Sequence, residues 1–175
     1  MNSSIILLSF LPIFFFIHEL EEIFMICPWI KKNRTILYKR FPKLRRIIQK
    51  MEQMTTQGFV TIAVEEFLIV ITCTFISVQT SNLIPWYCCL AAFGLHLIVH
   101  FVQFIVWSGY IPTIVSTVLC LPYCVWAIHD TFQFFPLHEL FLYTLLGTLF
   151  CILNLIVMHK ITYWLSKSAE PNSYK

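Results

Sequence analysis

The stretch that decides the fold is FIHELEEIF, residues 16–24, which places one histidine and three carboxylates inside an apolar N-terminal segment. A charged side chain at the centre of a bilayer costs roughly 2.5–3.5 kcal/mol on insertion scales, so these groups must be neutralised, paired or ligated. On an α-helix, His18, Glu21 and Glu22 share one face because they are related by i, i+3 and i+4. Glu19 lies about 100° from His18. The stretch predicts one wall of a polar site inside a membrane protein.

The composition is that of a membrane protein. Hydrophobic residues make up 58% of the chain and charged residues 12%, and the mean hydropathy is +0.76. A soluble protein of 175 residues could not bury that much apolar surface. The seven cysteines all lie in apolar stretches and form no C-x-x-C pair, which argues against a disulfide framework or a zinc knuckle. We expect them to be buried as small apolar side chains.

Five stretches are long enough to cross the hydrocarbon core of a bilayer, which takes about 20 residues. They are predicted at residues 4–27, 57–79, 83–107, 111–130 and 138–165, with a connection at residues 28–56. The fold class is therefore all-α, a polytopic bundle of about five transmembrane helices forming a single domain over residues 1–175. The N-terminal stretch lacks a basic leader and a small-residue cleavage site, which favours a retained helix over a signal peptide.

The positive charges predict the orientation of the chain. The first connection holds Lys31, Lys32, Arg34, Lys39, Arg40, Lys43, Arg45, Arg46 and Lys50, and the remaining lysines are Lys160, Lys167 and Lys175. Five spans put the first connection and the C-terminus on the same side of the membrane. The positive-inside rule makes that side cytoplasmic and leaves the N-terminus outside. The charges do not indicate which membrane holds the protein.

The basic connection has an amphipathic pattern of its own. Its apolar residues recur at i, i+3, i+4 and i+7, and basic residues stand between them. The apolar set is Leu44, Ile47, Ile48 and Met51, and the basic set is Lys43, Arg45, Arg46 and Lys50. This pattern is typical of a helix that lies on an anionic cytoplasmic leaflet. The adjoining spans argue against a nucleic-acid partner for the same charges.

Polar groups on three predicted spans fall at one depth. They are the cluster in residues 18–22, Glu65 and Glu66 on the second span, and His96, His100 and Gln103 on the third. At ~1.5 Å rise per residue, all of them lie roughly 6–17 Å from the inner boundary of the membrane. The third-span residues share one face at i, i+4 and i+7. In lipid, such faces must turn toward the interior of the bundle.

Histidine nitrogen together with carboxylate oxygen suits zinc, iron or manganese, so a divalent metal, zinc or iron, is the predicted cofactor. His18, Glu22 and His100 are the predicted ligands. His96 belongs to the same group, either as a ligand or as a hydrogen-bonding neighbour of one. The predicted catalytic residues are Glu21, Glu65 and Glu66, as bridging ligands or general base, and Gln103, which would orient a ligand or the substrate. On the fifth span, Asn154 could line the site, and His159 is expected to be interfacial.

Several functions are compatible with such a site. The leading hypothesis is a metal-dependent enzyme, a hydrolase or oxidase, acting on a lipid-like substrate that enters from the bilayer. A metal-free acid/base enzyme of the isomerase type is the first alternative. A proton-coupled or cation-coupled transporter is another, although five spans without an internal repeat do not provide paired halves. The same groups could also form a hydrogen-bonded network that only sets helix packing.

The motifs resemble those of the HXXEE-domain integral membrane proteins. The family's name is carried here as His18-x-x-Glu21-Glu22. A later helix of the family ends in H-x-x-Q followed by an aromatic residue and a proline. That pattern stands here as His100-x-x-Gln103 and then Tyr110-x-Pro112, followed by Thr117 and Pro122. The resemblance covers roughly residues 10 to 130, and it implies a multi-span membrane protein with an enzymatic role but no particular reaction.

Overall fold

The structure is a computed structural model that describes the backbone of residues 2–169 and the side chains of residues 5–165. In this part of the chain there are six α-helices, one short 3-10 helix and no strand. The helices are α1 (Asn2–Arg40), α2 (Arg45–Gln53), α3 (Thr56–Thr80), α4 (Ile84–Trp107), α5 (Ile114–Thr131) and α6 (Leu137–Ala169), with the 3-10 helix at Pro42–Leu44. Lys167 and Lys175 lie outside the described side chains.

Four of the helices, α3 to α6, are long and apolar enough to cross a membrane. The predicted all-helical class is therefore confirmed, and the structure supports an integral membrane protein. Large apolar side chains such as Phe75, Val125 and Phe141 are more than half exposed on the outer surface of the bundle, as lipid-facing residues would be. The helix α1 carries the ionisable stretch, and its own crossing of the bilayer stays a prediction.

The first helix runs farther than the predicted span. It continues through Pro28, beside which the predicted first span ends, and stops only at Arg40. A proline disfavours the helical conformation of the residue before it, and Phe41, which precedes Pro42, has φ −125° and ψ 62°. The helix therefore ends at the second of these prolines rather than at the first.

Four helices surround a central space in the order α1, α3, α6 and α4, each packed against the next, and α3 also packs against α4, which follows it in the chain. The helix α5 lies outside this ring and packs against α4 and α1. Among the described residues, α1 and α6 do not touch, because they lie on opposite sides of the central space. The arrangement places one face of each ring helix toward a common interior.

A proline inside α1 explains one contact of the core. Pro12 has no N–H, so the carbonyl of Leu8, four residues earlier, has no helical partner. The indole Nε1 of Trp86 donates a hydrogen bond to that carbonyl at 3.1 Å. The hydroxyl of Tyr123 similarly donates to the carbonyl of Leu7 at 3.0 Å. These bonds attach α1 to α4 and α5 where each buried polar group would otherwise be unpaired.

The amphipathic pattern of the first connection forms the 3-10 helix and α2. Some of its apolar side chains are buried against α1 and others are exposed. Ile48 is buried against Ile30 and Leu37 of α1, whereas Leu44 is 47% and Ile47 57% exposed. Packing against α1 therefore uses part of the face that the sequence assigns to the membrane.

Glu52 on α2 joins this helix to the end of α1. Its carboxylate accepts hydrogen bonds from the Tyr38 hydroxyl at 2.6 Å and from Arg34 Nη1 at 3.1 Å. These two donors, the Tyr38 hydroxyl first, lower the pKa of Glu52 below its ordinary value. The three side chains therefore form a charge-dependent contact between the two helices.

Candidate metal centre

The central feature of the bundle is a cluster of three imidazoles and one carboxylate. His18 and Glu22 stand one turn apart on α1, and His96 and His100 stand one turn apart on α4. One ligand atom from each of these residues lies within 4.8 Å of every other. His18 has no exposed surface, and Glu22 and His100 are each 6% exposed. The two i, i+4 pairs meet because both helices turn these faces toward the central space.

The distances within the cluster join the Nε2 atoms of the histidines and the Oε1 atom of Glu22. His96 Nε2 is 3.1 Å from His18 Nε2 and 2.9 Å from His100 Nε2. The Oε1 atom of Glu22 is 2.8 Å from His100 Nε2, 3.8 Å from His96 Nε2 and 4.0 Å from His18 Nε2. Four ligand atoms around a zinc ion at ~2.0–2.1 Å would stand ~3.3 Å apart. The observed distances bracket that value.

The other nitrogens of two of these rings have their own acceptors. His18 Nδ1 is 3.0 Å from the hydroxyl of Ser116, and that hydroxyl donates to the carbonyl of Thr113 at 3.1 Å. The Ser116 oxygen therefore accepts the Nδ1 proton of His18. His100 Nδ1 is 3.1 Å from the amide oxygen of Gln103. Both rings are thus held as the Nδ1–H tautomer, with an Nε2 lone pair aimed into the cluster.

The carboxylate of Glu22 has an unsatisfied oxygen. Its Oε1 atom is buried and makes no hydrogen bond, although His100 Nε2 lies only 2.8 Å away. Because the proton of His100 is on Nδ1, the two atoms face each other as lone pairs. A buried oxygen without a donor is costly, whereas a cation between these atoms would satisfy both. The donor set of three imidazole nitrogens and one carboxylate oxygen suits zinc, iron or manganese.

A cavity of about 670 Å³ adjoins the cluster and fills the interior of the ring. Glu22, His96 and His100 form part of its wall, and His18 lies behind them. The rest of the lining comes from α1, α3, α4 and α6 together with Met51 of α2, and it is mostly apolar. This volume is within the range of ligand pockets, about 300–1,000 Å³.

Two further carboxylates face the same cavity. They are Glu19 of α1, which is 6% exposed, and Glu66 of α3. Each lies close enough to Glu22 for a direct electrostatic interaction. Glu65, the neighbour of Glu66, accepts a hydrogen bond from Asn154 Nδ2 of α6 at 2.9 Å. The cavity therefore has a carboxylate group beside the histidine cluster.

The side chain of Glu21, on α1, points away from the cluster and reaches the beginning of α5. Its Oε2 atom accepts a hydrogen bond from the backbone N–H of Ser116 at 2.7 Å, and its Oε1 atom accepts one from the Tyr110 hydroxyl at 3.4 Å. The first N–H groups of a helix lack intrahelical partners, and a carboxylate there is favoured by the helix dipole. Glu21 thus holds α5 in the position from which Ser116 reaches His18.

The structure brings most of the predicted site residues together. His18, Glu22, His96 and His100 form the cluster, and Glu66, Gln103, Asn154 and His159 line the cavity. His159, expected at the interface, reaches the cavity lining and also bonds the Leu155 carbonyl through Nδ1 at 2.8 Å. Glu65 is one hydrogen bond away from the cavity wall, and Glu21 is outside the cavity.

Two residues near the cluster are absent from the sequence-based set. Glu19 was set apart because of its angle to His18, yet it stands at i, i+3 from Glu22, which places those two on one face. That spacing is a signal for its position in the cavity. Ser116 carries no such signal, because only the packing of α5 against α1 brings its hydroxyl to His18.

All seven cysteines are free thiols.

Comparison with known proteins yields one family. The family model described as "Protein of unknown function with HXXEE motif" matches residues 9–127, which include the whole cluster. No curated protein and no solved structure matches the chain.

Proposed function

The chain belongs to the HXXEE family, and from its site we propose that it is a metal-dependent enzyme embedded in the membrane. Its substrate would be lipid-like and would enter the central cavity from the bilayer. His18, Glu22, His96 and His100 would hold one divalent metal, zinc or iron. The metal would supply Lewis-acid chemistry if it is zinc, or redox chemistry if it is iron.

One observation carries this proposal. The Nε2 lone pairs of His18 and His100 and the unpaired Oε1 of Glu22 point to one position, and His96 Nε2 lies 3.1 and 2.9 Å from the two imidazole nitrogens. His96 carries at most one proton on Nε2 as a neutral ring, so it cannot donate to both neighbours. A cation would satisfy all four atoms at once.

The other residues have separate roles in this proposal. Gln103 and Ser116 hold the imidazoles through Nδ1 and keep their Nε2 atoms available. Glu66, with Glu19 beside it, is the group in the cavity that would take or give a proton during the reaction. Glu65 would support Glu66 through its bond to Asn154. The largely apolar lining would exclude water and select an apolar substrate.

The test is elemental analysis of the detergent-purified protein beside the variant His18→Ala/Glu22→Ala. The matched control is His138→Ala/Glu139→Ala, which removes the same two residue types at the start of α6, away from the cavity. We expect stoichiometric zinc, iron or manganese in the parent protein and the control, and none in the cluster variant. An absence of metal from a well-folded parent protein after growth in metal-supplemented medium would refute the metal centre.

A second candidate is a metal-free acid/base enzyme. Its support is the unbroken series of short contacts from Glu22 Oε1 through His100 and His96 to His18, along which protons could move. This alternative predicts an activity that survives chelators but is lost in Glu22→Gln. The metal centre predicts instead an activity that is lost when a chelator is added. Flux of a substrate into liposomes that depends on a pH gradient would instead favour the transporter hypothesis.

We also propose that the basic residues of the connection contact an anionic lipid leaflet. Lys43, Arg45, Arg46 and Lys50 are exposed, and Leu44 of the 3-10 helix and Ile47 of α2 stand beside them as exposed apolar side chains. Each basic residue near an anionic surface contributes about 1 kcal/mol of attraction. Reconstitution into nanodiscs with and without phosphatidylserine, followed by hydrogen exchange of α2, tests this contact. Equal protection in both lipids would contradict it.

A further inference from the structure

The polar residues of the cavity form a band across it, and the part of the cavity on the far side of this band is apolar. On α4, His96 and His100 lie toward the connection at residues 41–55, and Ala92 and Cys89 lie toward the α3–α4 connection. On α1, α3 and α6, the lining residues on the far side of Glu19, Glu66 and Asn154 are apolar or cysteine. Apolar residues, among them Ile26 and Phe59, also line the cavity on the side of the connection. The apolar half beyond the cluster is called the distal pocket, and it is lined by Val70, Cys73, Cys88, Cys89, Ala92 and Gly147.

The distal pocket is long and follows one face of α4. Its lining residues Pro85, Cys89 and Ala92 precede His96 at helical spacing. At ~1.5 Å per residue, Ala92 lies ~6 Å, Cys89 ~10 Å and Pro85 ~16 Å along the helix axis from His96. The pocket therefore extends about three helical turns beyond the metal ligands.

The far end of the pocket lies where α3 and α4 meet. At that end α3 and α4 are joined, because the N–H of Trp86 donates to the hydroxyl of Ser77 at 3.1 Å. On the wall between α4 and α6, a Cβ placed on Gly147 would overlap the backbone of Cys88. The two helices thus touch there through their backbones. Phe93, Leu146 and Phe150 line this space together with the smaller side chains.

We propose that the distal pocket binds the single unbranched hydrocarbon chain of an amphiphile, whose polar head lies at the His/Glu cluster. A long apolar space of limited volume with the polar cluster at one end matches an amphiphile with one chain. This proposal names the substrate class of the proposed enzyme and rests on that function for the reaction. Chain binding itself needs no metal, so the two can fail separately.

The test is photolabelling in nanodiscs with a palmitate analogue that carries a diazirine on its terminal carbon. We expect crosslinks to residues of the distal pocket, mapped by peptide mass spectrometry, and competition by unlabelled palmitate but not by octanoate. The variant Ala92→Trp should lose these crosslinks, because an indole would fill the pocket one turn from His96. The matched control is Leu95→Trp on the same helix, whose native side chain is 40% exposed on the outer surface.

A second variant keeps the test decisive if Ala92→Trp does not fold. Cys89→Phe lies one turn deeper and should admit a laurate analogue while excluding the palmitate analogue. The cluster variant His18→Ala/Glu22→Ala should still be labelled in the distal pocket, whatever its metal content. Crosslinks confined to the lipid-facing surface, or crosslinks unchanged by both obstructing variants in folded protein, would overturn the proposal.

Discussion

At the scale of single residues, the cluster depends on partners that are not themselves ligand candidates. The Ser116 hydroxyl accepts a hydrogen bond from Nδ1 of His18 and donates one to the Thr113 carbonyl. This arrangement selects the tautomer that leaves Nε2 free. Removal of such a partner typically reduces metal affinity about 10–100-fold, because the ligand loses its orientation.

We therefore expect Ser116→Ala to weaken zinc or iron binding by about 10–100-fold without removing it. Competition with a chelator of known affinity measures this change. Ser9→Ala is the control, since the Ser9 hydroxyl bonds only the Ile5 carbonyl of its own helix. An unchanged affinity in Ser116→Ala would show that His18 does not need its Nδ1 partner.

The pairing of Pro12 with Trp86 leads to a second prediction. Trp86→Phe leaves the Leu8 carbonyl without a donor, so the free energy of unfolding in detergent should fall by about 1–2 kcal/mol. Pro12→Ala supplies an N–H that can bond Leu8 within the helix. In the Pro12→Ala background, Trp86→Phe should therefore cost less. Equal losses in both backgrounds would mean that the indole acts through packing alone.

At the scale of whole elements, the helices could be predicted well because long apolar runs determine them. The helices α3, α4 and α6 begin and end within a few residues of the predicted runs at 57–79, 83–107 and 138–165. The side-chain contacts between helices could not be predicted from such runs. The rotation of α5 that brings Ser116 to His18 depends on cross-helix packing, which no spacing within one helix records.

The contact of Glu52 with α1 predicts that the attachment of α2 depends on pH. The pKa of Glu52 is lowered in the folded protein, so its ionised form stabilises the attachment of α2 above the ordinary glutamate pKa. That contribution is lost as the pH falls through the lowered value. We expect faster amide exchange in α2 at about pH 3 than at about pH 6, after correction for intrinsic rates. Glu52→Gln should remove most of this difference, and an unchanged pH dependence in that variant would assign it to other groups.

At the scale of the whole molecule, the position of α1 decides the topology. Four helices qualify as spans by length and apolarity, and α1 contains the ionisable stretch instead. Yet α1 is one side of the ring that encloses the cavity. His18, Glu19 and Glu22 face the interior and Glu21 bonds the start of α5, and ligation or hydrogen bonding reduces the cost of placing such groups at bilayer depth. Packing in this ring therefore allows α1 to cross the membrane although it carries ionisable residues.

The last prediction follows from counting α1 as a fifth span. The N-terminus and the basic connection should then lie on opposite sides of the membrane, with the connection cytoplasmic. The test uses Lys50→Cys and Gln133→Cys in a chain whose native cysteines are replaced, with an N-terminal epitope tag. In intact cells, an impermeant maleimide should label Gln133→Cys, and an antibody should reach the tag. Lys50→Cys should react only after permeabilisation, because α1 carries the chain through the bilayer before residue 50. If the tag and Lys50→Cys become accessible together, both ends of α1 lie on one side of the membrane. His18 and Glu22 would then stand on a helix that enters the bundle without crossing it.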